Sequence, residues 1–154
     1  MTNAERIVEV ATACIGTKEG TDRHKTIVDI YNNYQGKSRH YKINMGDPWC
    51  AAFVSAVFIA AGLPDLIPIE CSCFYMKNLA KVRGIVRDPG RYVPKPGDII
   101  FYKWDGKNIV THVGIVSSVK GSALEVIEGN YLDSVGVRKI KLSYKHIDSY
   151  IEVG

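Results

Sequence analysis

The chain has no apolar stretch long enough to cross a bilayer. Its longest, Cys50 to Ala61, falls well short of the roughly 20 residues such a span takes. The opening Met1-Thr2-Asn3-Ala4-Glu5-Arg6 lacks the basic head and apolar run of a secretory leader. Synthesis in the cytoplasm, with an unspecified route outward, is therefore the expectation. Long Lys/Arg runs are missing too. The densest basic patch, Arg138-Lys139-Ile140-Lys141, is interleaved with an apolar residue and reads as a strand with one solvated face. A net charge of +4 is modest for 154 residues, and nucleic acid is not expected as a partner. Low-complexity tracts and internal repeats are absent as well.

Cysteine is sparse. Cys71-x-Cys73 has no second paired motif, and structural zinc sites usually place two to four residues between ligands. A zinc site on Cys14, Cys71, Cys73 and a histidine is therefore not expected, nor is a structural disulfide. Packing thiols, or thiols beside the Cys50 groove, are the simpler reading.

What the sequence does hold is Asp47-Pro48-Trp49-Cys50-Ala51-Ala52-Phe53-Val54. Asp47 reads as an N-cap and Pro48 as the first helical residue, with Cys50 third. The helix continues to Ala61 and stops at Gly62 and Pro64. It is apolar all round, so it belongs in a core. A thiol in a first helical turn sits among unpaired N–H groups at the positive helix end, which favours thiolate. Cys50 thus reads as a nucleophile.

A base and an orienting group lie further on. Ile99–Trp104, Thr111–Val116 and Leu124–Tyr131 read as successive strands, the last two joined through Lys120-Gly121-Ser122. A register placing Ser118 opposite Leu124 would set His112 opposite Asn130, with Glu128 diagonal on the same face. A slip of one residue would separate them unless a bulge restored the pairing. His112 is the candidate base, and Glu128 or Asn130 the group that orients its ring.

Four blocks in order (Trp-Cys-Ala-Ala-Phe-Val, Pro-Lys-Pro-Gly-Asp-Ile-Ile-Phe, His-Val-Gly-Ile-Val and Ile-Glu-Gly-Asn-Tyr) resemble the CHAP family, the cysteine, histidine-dependent amidohydrolases/peptidases of phage endolysins and bacterial autolysins. The resemblance implies a papain-like α+β fold and a peptidoglycan amide as substrate. It implies Cys50 as nucleophile, His112 as base, and Glu128 and Asn130 as polar partners. Trp49 and Tyr131, which flank these blocks, are the expected substrate contacts. Some members carry an Asp-x-Asp-Gly calcium loop before the nucleophile. Here Asp22, Asp29 and Asp47 are scattered among basic residues, so neither metal nor cofactor is carried over.

The expected architecture is one catalytic domain over residues 1–154, acting as a monomer. Helices at Ala4–Cys14, around Ile27–Tyr31, at Cys50 and at Met76–Val82 precede an antiparallel sheet of five or six strands. Val135–Leu142 and Tyr150–Val153 are expected as its edges. The polar, aromatic segment Lys37–Met45 is a candidate groove wall. The expected function is a peptidoglycan hydrolase, either muramoyl–alanine amidase or stem or cross-bridge endopeptidase, acting at the bacterial wall. Alternatives are a cysteine-dependent effector or toxin cleaving or deamidating a non-wall amide, and a non-catalytic wall-binding module. A related NlpC-like peptidase would place another histidine where Glu128-Gly129-Asn130 stands.

Overall fold

In the computed structural model, which covers residues 1–154, four helices precede the sheet: α1 (Asn3–Ala13), α2 (Asp22–Asn33), α3 (Cys50–Ala60) and α4 (Cys73–Val82). Three carry the caps their sequences supply. Thr2 closes a capping box with Glu5, Thr21 accepts from the His24 N–H, and Ser72 accepts from the Tyr75 N–H. The Ser72 cap starts α4 three residues before the expected Met76.

Helix α3 departs from expectation at its start. Asp47 does not cap it, because its carboxylate accepts from the Asn44 N–H at 2.7 Å and closes a turn instead. Pro48 also lies outside. Trp49 is the N-cap with no side-chain bond, and Cys50 is the first helical residue rather than the third. The far end follows expectation within a residue: Gly62 adopts a left-handed conformation (φ 75°) and the Leu63 N–H returns to the Phe58 carbonyl. Every residue from Cys50 to Phe58 is buried, as an all-round apolar helix requires.

Six antiparallel strands follow: β1 (Val86–Arg87), β2 (Ile99–Tyr102), β3 (His112–Lys120), β4 (Ala123–Tyr131), β5 (Ser134–Lys141) and β6 (Ile147–Ile151). Their order in the sheet is β1-β6-β2-β3-β4-β5. The last strand was expected at an edge. It instead lies inside the sheet, because the two-residue β1 pairs along its outer side.

Alternation divides β2 cleanly between two cores. Ile99 and Phe101 face the helices, in one cluster with Ile7, Tyr31, Phe53, Phe58, Val113, Ile115 and Ile127. Ile100 and Tyr102 face the other way, with Val116, Leu124, Val126 and Tyr150. The helix-side cluster holds 29 buried residues against 7 on the other face, so it is the main stabilising layer.

The β3–β4 register is the point on which the site depends. Ile115 pairs with Ile127 and Val116 with Val126, the register that sets His112 opposite Asn130. Nearer the turn, Ser118 pairs with Glu125 and not with Leu124, and a bulge at Ser117 absorbs the difference. The pairing is thus shifted at the turn and as expected at Ile115–Ile127, the last pair before the site.

Candidate active site

Two glycines set the distances here. A Cβ on Gly129 of β4 would lie 2.5 Å from Phe53 Cβ and 3.2 Å from Trp49 Cε3. Only a glycine lets the sheet approach the first turn of α3 this closely. A Cβ on Gly114 of β3 would lie 2.5 Å from Val126 Cγ1 and 2.7 Å from Glu128 Cγ. The gap left by Gly114 is where Glu128 sits.

Cys50, His112 and Glu128 come together at this end of the sheet. Cys50 Sγ is 3.9 Å from the Thr111 carbonyl, immediately before β3. Glu128 is fully buried, and its Oε1 lies 2.8 Å from His112 Nε2. With Nε2 committed to Glu128, Nδ1 is the ring nitrogen left to face the Cys50 sulfur, which is close enough to shift the titration of the ring.

Burial would lower the His112 pKa, but the contacts with Cys50 and Glu128 prevail and raise it to about 9. The Cys50 thiol is held well below its usual value. The hydrogen bond between the Cys50 and Cys73 sulfurs is the largest cause; burial opposes it, and His112 and the Ala51 N–H add to it. Both shifts favour a thiolate beside an imidazolium at the N-terminus of α3.

Arg138, Tyr102 and Trp104 escaped the sequence reading, and Cys73 takes the second of the two places expected for it, beside Cys50 and not merely in packing. Arg138 of β5, read there as part of a solvated strand, places its Nε 3.0 Å from both Glu128 oxygens. Its guanidinium lies 5.4, 5.3 and 4.8 Å from the ring centres of Tyr102, Trp104 and Tyr131. Alternation along β5 brings it to the Glu128 face, a signal that needed the β4–β5 register to read. Tyr102 stacks on His112 at 5.7 Å, with Trp104 at 6.0 Å on the same ring. The Tyr102 hydroxyl is buried without a hydrogen-bond partner. Burial, and then the Glu128 charge, hold it firmly protonated. Cys73 opens α4 with its Sγ 3.6 Å from Cys50 Sγ.

The remaining candidates divide. Trp49 is 0% exposed, its indole N–H donates to Glu19 at 2.8 Å, and its ring packs on His24 at 4.3 Å. It has no surface to offer a substrate, and the expectation that it contacts one is corrected: its neighbours are Glu19, His24 and Gly129 of the packed interior. Tyr131 is half-buried beneath Arg138. Asn130 makes no side-chain hydrogen bond. Its backbone is left-handed (φ 56°), as are Leu132 and Asp133 in the turn that follows. The imidazole is therefore oriented by Glu128, and Asn130 serves the bend. Segment Lys37–Met45 packs against the loop before α4, where Arg39 grips the buried Glu70 at 2.9 and 2.7 Å and stacks over Tyr75.

The CHAP domain family model matches residues 42–130, more than half of the chain. The chain belongs to the CHAP family. The match begins just before α3 and ends at Asn130, so it spans Cys50, His112 and Glu128 and leaves Arg138 outside. No curated protein sequence matches the chain. Among solved structures, the crystal structure of Ly7917 is similar at a TM-score of 0.58 and 17% identity, covering 99% of this chain and 62% of that one. Ly7917 with the hydrolyzing product of MDP is similar at 0.58 and 16%, covering 97% and 62%. NlpC1 from Trichomonas vaginalis aligns at 0.49 and 16%, covering 98% and 44%. The CHAP chain here thus spans under two thirds of the length of Ly7917, and the likeness concerns fold. Family and fold together support an amidohydrolase or peptidase in general. No helix is long and apolar enough to cross a membrane.

Proposed function

We propose that this CHAP domain hydrolyses an amide of bacterial peptidoglycan with Cys50 as nucleophile, His112 as base and acid, and Glu128 as the group that orients His112. The observation that carries the reading is the buried chain of contacts from Glu128 through His112 to a sulfur on a helix N-terminus. Cys50 thiolate attacks the carbonyl carbon, and the C=O electrons move onto oxygen. The resulting oxyanion lies at the start of α3, whose first N–H groups have no side-chain cap. His112 then gives its proton to the leaving amine, and the C–N bond breaks. Water, deprotonated by His112, attacks the thioester and releases the acid and the thiolate.

Peptidoglycan as the substrate rests on the family and on the neighbour solved with the hydrolyzing product of MDP. Residues 1–154 would act as one catalytic domain at the bacterial wall, as a monomer. A cavity of about 160 Å³ lined by Phe74, Lys77, Lys103, Ile109, Val110 and Asp148 adjoins Cys73 and Thr111 in sequence. It is a candidate subsite for the peptide arm. Muramoyl–alanine amidase and endopeptidase activity place the same chemistry on different bonds.

The test is clearance of a suspension of purified walls by wild type and His112→Ala. Clearance by wild type, reduced a hundredfold or more in the variant, is the expected result. Equal clearance by both would remove His112 from the mechanism. No clearance by either would turn the search to non-wall amides.

A further inference from the structure

The sulfur of Cys50 has a second neighbour to which the proposed steps assign no role. Cys73 Sγ lies 3.6 Å away, and both residues are buried, at 7% and 6% exposure. We infer that Cys73 is a catalytic residue of this site, a neutral thiol whose S–H donates to the Cys50 thiolate and holds it ready for attack. The inference rests on the proposed role of Cys50 as nucleophile.

The surroundings place the donor firmly. Ser55, one turn along α3 from the nucleophile, donates to the Glu70 carbonyl at 2.7 Å and accepts from the Glu70 N–H at 2.9 Å. The buried Glu70 carboxylate accepts from the Cys71 and Ser72 N–H groups at 2.9 and 3.1 Å. Ser72 then caps α4, with Cys73 as its first helical residue. The nucleophile helix and the donor helix are thereby tied through one loop.

The direction of donation follows from the groups that face the pair. Cys50 meets His112 before the sheet, the Ala51 N–H on its own helix and Cys73 on α4. Cys73 meets Cys50 and, more distantly, Cys71. The only cation in this set is His112, and it acts on Cys50 and not on Cys73. Proximity to the Cys50 sulfur and burial together push Cys73 well above its usual value, so the proton stays on Cys73. Such a donor is useful despite weakening each thiolate. Lowering a thiol's pKa by one unit costs about 0.4–0.5 log units of nucleophilicity, but gains a full log unit of thiolate while the pKa lies above the ambient pH.

The experiment is the pH dependence of Cys50 alkylation by iodoacetamide, followed by peptide mass spectrometry, in wild type, Cys73→Ala and Cys73→Ser. Peptide resolution separates Cys50 from the half-buried Cys14 and Cys71, whose thiols burial pushes up. Cys73→Ala should move the alkylation midpoint upward and slow labelling about tenfold at pH values below the wild-type midpoint. Cys73→Ser, whose hydroxyl still donates, should stay near wild type. A Cys73→Ala curve overlying that of wild type, or a serine variant no better than alanine, would overturn the inference. If Cys73→Ala does not fold, Cys73→Val fills the space without a donor and gives the same comparison. Labelling needs no wall substrate. An upward shift without wall hydrolysis would refute the proposed substrate and keep the donor, and hydrolysis without a shift would do the reverse.

Discussion

His112 Nε2 lies 2.8 Å from Oε1 of a Glu128 that has no solvent exposure. One carboxylate thereby decides which imidazole nitrogen is free to face Cys50. Its second oxygen is not idle, since the Arg138 Nε bonds both. The site is a set of four side chains drawn from α3, β3, β4 and β5, closed by an ion pair whose carboxylate is fully buried and would be left uncompensated if Arg138 were removed.

The pH dependence follows from the His112 shift. Folded His112 titrates near 9 against an ordinary value of 6.5. Its proton is held more tightly in the folded state, so its contribution to stability is fully present below about 6.5 and is lost as pH rises through about 9. The acid that protonates the leaving amine is lost over the same interval. The rate of hydrolysis at low substrate should therefore fall on the alkaline side with a midpoint near pH 9. Glu128→Gln removes one of the contacts that raise His112 and should bring that limb to lower pH, with turnover reduced less than in His112→Ala. An alkaline limb unmoved by Glu128→Gln would detach Glu128 from His112.

Arg138→Met should slow turnover by about tenfold and lower stability by roughly 1–3 kcal/mol, since it strips the Glu128 carboxylate of a charge-assisted bond. Arg138→Lys keeps the charge without the fork and should fall between. Thermal unfolding and wall hydrolysis read the two effects. Full activity in Arg138→Met would leave Arg138 a surface strand residue, as its sequence context suggests.

The glycines make a separate prediction. Gly129→Ala forces a methyl against Phe53 at 2.5 Å and should cost about 1–3 kcal/mol by prising α3 from β4. Gly114→Ala presses on Glu128 Cγ and should lose activity beyond what its Tm accounts for. If Gly114→Ala keeps wild-type turnover, the Glu128 position is less constrained than the packing indicates.

Asn130 offers a test of backbone against side chain. Its left-handed conformation costs an alanine roughly 1–2 kcal/mol, so Asn130→Ala should unfold earlier and Asn130→Gly should not. Both should retain more turnover than Glu128→Gln. A glycine variant that is stable yet slower than Glu128→Gln would transfer the orienting role to the amide.

How much of this was legible depended on the range of the interaction. The apolar helix after Cys50, the hairpin and the facing of His112 and Glu128 follow from local pattern and period, and the fold agrees. Asp47 misled because a turn to Asn44 and an N-cap use the same carboxylate, and nothing local ranks them. Trp49 stands beside the nucleophile in sequence, but its pairing with Glu19 on a distant segment buries it. Arg138 was unreadable for the same reason, and Cys73 was legible only as one of two alternatives, a packing thiol or a thiol beside the groove. Each reaches the site through a register or a loop tie that only the assembled sheet and helices define.

The most direct test of the central claim is mass spectrometry of the fragments released from purified peptidoglycan by wild type and by Cys50→Ala. The substitution should leave the fold intact at a cost of about 1 kcal/mol or somewhat more, checked by thermal unfolding. New termini at a single amide type from wild type, and none from the folded variant, are the predicted result and would name the bond. Equal release by a folded Cys50→Ala would contradict the account.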